Sequence, residues 1–119
     1  MEKEIWLYDL SIDLFNIDRK IITSKKLLKK YLIDITKFIK MTPYKKPMVY
    51  RFGENQLEGY SGIQLIMESN ITFHCDEQNG NNSIYIDIVS CCKFPVQETI
   101  EFNKNYFNTN QVKVHYRER

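Results

Sequence analysis

Between Ser61 and Cys91 the chain sets reactive side chains into otherwise apolar segments: Ser61, Glu68, Ser69, Thr72 and His74, followed by Asp87 and Cys91. Hydroxyl, carboxyl, imidazole and thiol are the groups that attack carbonyls and carry protons in enzymes. A thiol suits proton transfer near neutrality because its unperturbed pKa, about 8.5, lets it give a proton and regain it. Taken singly, each residue also has a purely structural account. Ser61 opens a strand, Glu68 and Ser69 make a turn, His74 faces outward from a strand, and Cys91 is a small buried hydrophobe. Cys75, Cys91 and Cys92 form an odd set with two members adjacent. That pattern suits neither a disulfide framework nor the CxxC ligand pairs of a structural zinc site. They are read as reduced thiols, and no metal is expected.

The elements that must position these groups follow from hydrophobic periodicity. Over residues 5–15, Leu10, Ile12 and Leu14 alternate with Asp9, Ser11 and Asp13, the two-residue period of a strand with one buried face. Ser24 caps a helix in which Leu27, Leu28, Tyr31, Leu32, Ile35, Phe38 and Ile39 recur at three-to-four spacing, and Thr42, Pro43, Tyr44 and Pro47 end it. Strands are predicted over Met48–Phe52, 60–67, 70–75 and 83–89, the last from Ile84, Ile86 and Ile88 alternating with Tyr85 and Asp87. The 78–82 stretch is a hairpin loop, since its Asn and Gly residues tolerate positive φ. Residues 95–107, with Val96, Ile100 and Phe107 on one face, make a second helix, and 111–116 a last strand. This order implies the α+β class, a two-layer sandwich with two helices on one face of an antiparallel sheet. The other sheet face needs cover where it is apolar, and a sheet-to-sheet homodimer, a four-layer αββα arrangement, provides it.

Together the reactive residues form a constellation, and here the chain resembles the prokaryotic class of S-adenosylmethionine decarboxylase, a self-processing, pyruvoyl-dependent family. That family has a Ser-Gly pair opening a strand, an apolar run, a Glu-Ser cleavage dipeptide, a Thr or Ser three places after that serine, and a His five places after it. Ser61-Gly62, Glu68-Ser69, Thr72 and His74 stand at those spacings. The family's Asp-x-x-x-Cys on the returning strand is matched by Asp87 and Cys91, with a loop about two residues longer here. Weaker similarity extends to Asp13-Leu14-Phe15-Asn16 and to the closing Val114-His115-Tyr116-Arg117-Glu118-Arg119. The chain differs after the cleavage serine, where Asn70 replaces the usual His, and after His74, where Cys75-Asp76-Glu77 replaces a Thr-aromatic-Pro-Glu segment. These differences bear on substrate choice more than on processing.

The resemblance implies a chemistry. Removing carbon dioxide from an amino-acid α-carbon needs an electron sink that ordinary side chains lack. The family makes one from its own backbone instead of borrowing pyridoxal phosphate, for which no lysine or phosphate cradle is identifiable here. Ser69 would attack the Glu68 carbonyl, with Ser61 carried over as the donor that steadies the oxyanion and His74 as the base that removes the Ser69 α-proton. The products would be a β chain of residues 1–68 and an α chain of residues 69–119 that begins with a pyruvoyl group derived from Ser69. Cys91 is implied as the proton donor to the substrate α-carbon. Cys92, one strand position on, should point to the opposite face and not be interchangeable with it. Glu77 is the candidate for the substrate ribose and Phe52 for the adenine.

The chain has 119 residues with a net charge of +2, 17 Lys+Arg against 15 Asp+Glu, and 43% hydrophobic residues, a composition sized for one domain spanning 1–119. Such near-balance gives no strong pull on nucleic acid, and Lys25, Lys26, Lys29 and Lys30 recur as a solvated helix face. No apolar run reaches the roughly 18 to 20 residues of a membrane span, and Met1-Glu2-Lys3-Glu4 lacks the layout of a leader. A cytoplasmic protein with a small-molecule substrate is expected. Two alternatives stay open: the same pyruvoyl chemistry on arginine or ornithine, and a non-processing homologue that binds a ligand or regulates a partner.

Overall fold

The computed structural model of the chain describes residues 4–78 and 80–119; the N-terminal tripeptide read above for leader character, and Asn79 of the 78–82 loop, lie outside the described residues. The element order is β1 (Tyr8–Phe15), α1 (Arg19–Ile22), α2 (Lys25–Phe38), β2 (Met48–Phe52), a 3-10 turn (Asn55–Leu57), β3 (Gly59–Ile66), β4 (Ser69–Asp76), β5 (Ser83–Ser90), α3 (Val96–Tyr106) and β6 (Gln111–Glu118). All strands join one antiparallel sheet in the order β2-β3-β4-β5-β1-β6. This is the expected α+β sandwich. The short α1, capped by the Asp18 side chain on the Lys20 N–H at 3.0 Å, is additional. Its four residues are too few to print a helical period.

The alternation read in β1 holds: Leu10, Ile12 and Leu14 are wholly buried beneath the helices, in register with Ile88, Ile86 and Ile84 of β5. Each such aliphatic side chain contributes about 1.5–3 kcal/mol on burial. Helix α2 starts where the Ser24 hydroxyl accepts the Leu27 N–H at 3.1 Å, and it buries Leu28, Tyr31, Leu32 and Ile35. A left-handed Lys40 (φ 58°) ends its last turn and sends the chain toward the sheet. Helix α3 locks to α2 through buried polar groups: Tyr31 Oη donates to Asn103 Oδ1 at 2.5 Å, and Asn103 Nδ2 donates to the Thr99 carbonyl at 2.8 Å.

Gly62 is required by packing. A Cβ there would stand 2.5 Å from the Phe73 ring, which is itself held edge-on to Tyr31 with centroids 6.4 Å apart. Among the described residues the opposite sheet face carries no helix, and along its β2 edge Met48, Tyr50 and Phe52 are exposed. Among the described residues no helix is long and apolar enough to cross a membrane.

Candidate active site

The β3–β4 connection is a two-residue turn at Met67 and Glu68, closed by the pairing of Ile66 with Ser69. So short a turn exposes the Glu68–Ser69 peptide at the end of the sheet. Two neighbours fix it. The Cys91 N–H donates to the Glu68 carbonyl at 2.9 Å, the placement of a donor that would stabilise negative charge on that oxygen. The Glu68 carboxylate accepts from the Thr42 N–H at 3.0 Å and the Thr42 hydroxyl at 3.1 Å, while the Met67 N–H donates to the Thr42 carbonyl at 2.8 Å. Partial burial pushes the Glu68 carboxyl up, but the bonds from Thr42 and from its own backbone outweigh this and hold it below the ordinary carboxylate value.

Ser69 begins β4 opposite Ser90 of β5, and its hydroxyl accepts from Asn70 Nδ2 at 3.1 Å. Ser90 is fully buried, and its hydroxyl satisfies both ends of the next peptide segment, accepting from the Cys92 N–H at 2.9 Å and bonding to the Cys92 carbonyl at 2.7 Å. That side-chain closure ends β5 at Ser90 and turns the chain. The expectation that Cys91 and Cys92 point to opposite faces is therefore overturned. Both lie beyond the strand, both are exposed, and their sulfurs are 4.0 Å apart. Cys75 differs: burial, with a smaller push from the Glu77 charge, raises its thiol far above the ordinary value.

Ser61 and His74 meet across β3 and β4, with Ser61 Oγ 2.5 Å from His74 Nδ1. Tyr50 of β2 stands opposite Ser61, and Tyr85 of β5 opposite His74. Thr72 and Asp87 also face each other in register, and Asp87 accepts from the Ser11 hydroxyl at 2.7 Å. The structure thus unites Ser61 with His74, and Glu68 and Ser69 with Cys91, but leaves the two groups at opposite ends of β4. His74 lies five residue steps beyond Ser69, about 17 Å along the strand.

Glu77 is not presented to a ligand. It is 6% exposed, and Arg51 and, at 3.5 Å, Arg19 occupy its carboxylate. The carboxylate expected to meet the substrate ribose is thus engaged by two arginines of its own chain, a charge-assisted pairing that a buried carboxylate needs. Phe52 lies on the exposed β2 edge beside Gly59, two positions along from Tyr50, the strand partner of Ser61. Sequence reasoning missed Thr42, Tyr50 and Ser90. Only Tyr50 left a trace, as one of three bulky residues at alternate positions of β2.

A family model described as S-adenosylmethionine decarboxylase matches residues 8–119. The chain is also similar to a solved structure described as the adenosylmethionine decarboxylase from Aquifex aeolicus VF5. The two are 19% identical with a TM-score of 0.78, over 98% of this chain and 92% of that one, a likeness of fold. No curated protein matches. With the family model spanning nearly the whole chain and the solved structure sharing its fold, the protein is a decarboxylase by descent, and it belongs to the S-adenosylmethionine decarboxylase family.

Proposed function

We propose that the chain is a proenzyme that cleaves itself between Glu68 and Ser69 and then decarboxylates S-adenosylmethionine in the cytoplasm, supplying the aminopropyl donor for spermidine synthesis. The observation that carries this reading is the Cys91 N–H on the Glu68 carbonyl, immediately before a serine in a two-residue turn. A carbonyl so held is polarised for attack by the neighbouring hydroxyl, and an oxyanion formed there keeps the same donor. The Ser69 Oγ–C bond to Glu68 forms, the C–N bond breaks, and the hydroxyl proton ends on the freed Ser69 nitrogen, leaving an ester. Removal of the Ser69 α-proton then expels the Glu68 carboxylate. Water replaces the resulting imine nitrogen as ammonia, so the second chain starts with a ketone. That pyruvoyl group, when formed, supplies the electron sink that decarboxylation requires.

The groups suited to donate to the oxyanion and to take the α-proton, Ser61 and His74, cannot reach their own Ser69 along about 17 Å of paired strand. We infer that a second copy delivers them, in a homodimer packed through the helix-free sheet faces. Cys91, exposed beside the cleavage turn, is the proton donor of the decarboxylation. The sulfonium substrate is favoured over arginine or ornithine because, among the described residues, the carboxylate at the cleavage turn and the carboxylate of the ribose expectation are both already engaged and less available to pair with a guanidinium or ammonium tail: Glu68 is bound by Thr42, and Glu77 by its arginines.

An intact mass of the purified protein tests the reading. The expected result is two chains, residues 1–68 and residues 69–119, the second short of an amino-terminal serine, with Ser69→Ala remaining whole. A wild-type chain that stays full length after long incubation refutes it. Carbon dioxide release from arginine or ornithine, and none from S-adenosylmethionine, refutes the substrate.

A further inference from the structure

The thiol of Cys92 has no part in the chemistry above, yet it sits beside the one that does. On a continuing strand the two side chains would diverge. Instead the turn after Ser90 brings the sulfurs to 4.0 Å, both exposed. Their separation is held by the backbone: the Cys91 N–H is committed to the Glu68 carbonyl, and the Cys92 N–H and carbonyl to the buried Ser90 hydroxyl.

We propose that Cys91 and Cys92 form a vicinal dithiol site for a thiophilic centre that takes two sulfurs at a bent angle, of which trivalent arsenic is the type. Geometry selects a bridging atom over a direct sulfur–sulfur bond. Adjacent Cα atoms are about 3.8 Å apart, short of the usual range of about 4.4–6.8 Å for a disulfide, whose sulfurs must also close to about 2.05 Å. Two thiolates on one tetrahedral centre with bonds of about 2.3 Å stand about 3.8 Å apart, and the narrower pyramidal angle of trivalent arsenic draws them somewhat closer, a far smaller adjustment from the 4.0 Å present than a sulfur–sulfur bond would demand. A bridging atom therefore finds its two ligands nearly in place. Among the described residues no group of three His, Cys, Asp or Glu side chains gathers to hold a metal, so the pair does not belong to a larger ligand set. Cys75, buried and with its thiol far above the ordinary range, offers no third sulfur.

With an organic arsenical the step is a condensation and needs no oxidant. Each thiol loses its proton to one arsenic-bound hydroxyl, two water molecules leave, and two As–S bonds form with arsenic still trivalent. Binding does not depend on the proposed function. Its consequence does: an arsenic on Cys91 removes the thiol assigned to proton return.

Phenylarsine oxide is the probe, used on the purified full chain. The expected result is one phenylarsenic group per chain by native mass, loss of two accessible thiols, retention in excess monothiol and release by a dithiol. Cys92→Ser and Cys91→Ser should each weaken retention about 100-fold, the low end of the gain from linking two contacts, whereas Cys75→Ser should keep it. A wild-type adduct that monothiol removes, or a Cys92→Ser variant that holds the arsenical as wild type does, overturns the proposal. Because the readout is mass and thiol count, a chain that never cleaves still reports on the dithiol. Where the chain does cleave, one equivalent of arsenical should abolish carbon dioxide release in wild type and spare Cys92→Ser.

Discussion

If Ser61 and His74 serve the Ser69 of another copy, two defective chains should repair one another. His74→Ala keeps its own Glu68–Ser69 turn but lacks the base, and Ser69→Ala keeps the dyad but has nothing to cleave. Loss of a positioned base costs about 10²- to 10⁴-fold in rate, so each homodimer should remain whole over the hours in which wild type is processed. A proton-transfer partner must come within about 3 Å, and the strand spacing puts His74 about 17 Å from Ser69, so no side-chain rotation closes the gap within one chain. The ladder pairs from Ser61–His74 to Ile66–Ser69 would have to break first. In a 1:1 co-expression with random pairing, about half of the His74→Ala chains find a Ser69→Ala partner and acquire one complete site, while the other site of that dimer lacks both groups. The expected gel shows up to half of the His74→Ala chains cut and all of the Ser69→Ala chains intact, the two distinguished by a tag. Cleavage of His74→Ala alone at the wild-type rate, or no cleavage in the mixture, would refute the reasoning.

Other perturbations separate the remaining roles. Cys91→Ala should process normally, since its backbone N–H remains, yet lose most decarboxylation, whereas Cys92→Ala should change turnover little; carbon dioxide release on processed protein decides. Ser90→Ala leaves the Cys92 N–H without its buried partner and loosens the turn that aims Cys91, so cleavage should slow by about tenfold, an energy of about 1.4 kcal/mol and within the range for one lost hydrogen bond. Glu77→Gln breaks the charge pairing with Arg19 and Arg51, and because those arginines are partly exposed the loss should be about 1–3 kcal/mol, read as a lower melting temperature. The Glu68 carboxyl is held below its ordinary value, so its contribution is present above that value, about 4.3, and is lost as pH falls through the lower folded one. Cleavage should weaken in that acid range, and Glu68→Gln should lack this part of the profile.

What was legible in the sequence was whatever a single period or a single turn determines. Leu10, Ile12 and Leu14 announce a buried face because nothing but strand geometry spaces them so, and Ser24 announces a helix because its hydroxyl caps the third residue on. The Ser61–His74 pair was in reach for the same reason. Ser61 lies six residues before Met67 and His74 six after Glu68, so a two-residue turn makes them opposite neighbours. That symmetry also shows that neither can sit at the turn itself, a consequence of strand rise that motif spacing alone conceals. The pairing of Glu77 was out of reach because its arginine partners lie 58 and 26 residues away, a closure made only in three dimensions. The Cys91–Cys92 geometry depended on one buried hydroxyl, and no pattern distinguishes a serine that continues a strand from one that ends it.

The division of one hairpin into two half-sites has a geometric corollary for the assembly. In a two-fold dimer the contact of residue i with the partner's j is matched by that of j with the partner's i. If the proposed dimer forms, Ser69 meets the partner's dyad while His74 meets the partner's cleavage turn, and the axis then crosses the strands above the middle of β4. The residues in register there on the helix-free face are Ile63, Thr72, Asp87 and Ser11, of which only Asp87 carries charge. Its carboxylate already accepts the Ser11 hydroxyl at 2.7 Å, which lowers the cost of enclosing it against its own symmetry mate. At the sheet margin Asp9 pairs with Arg117 at 3.4 Å, so that charge would also enter such an interface compensated. A lysine at Thr72 would place two ammonium groups at the axis, beside the pair of Asp87 carboxylates, and would add bulk between sheets that pack about 10 Å apart. It should leave the protomer folded, since Thr72 lies on the face away from the core, and should abolish dimerisation and self-cleavage together. A Thr72→Lys chain that sediments as a monomer but still cuts itself would show that the two half-sites do not need each other.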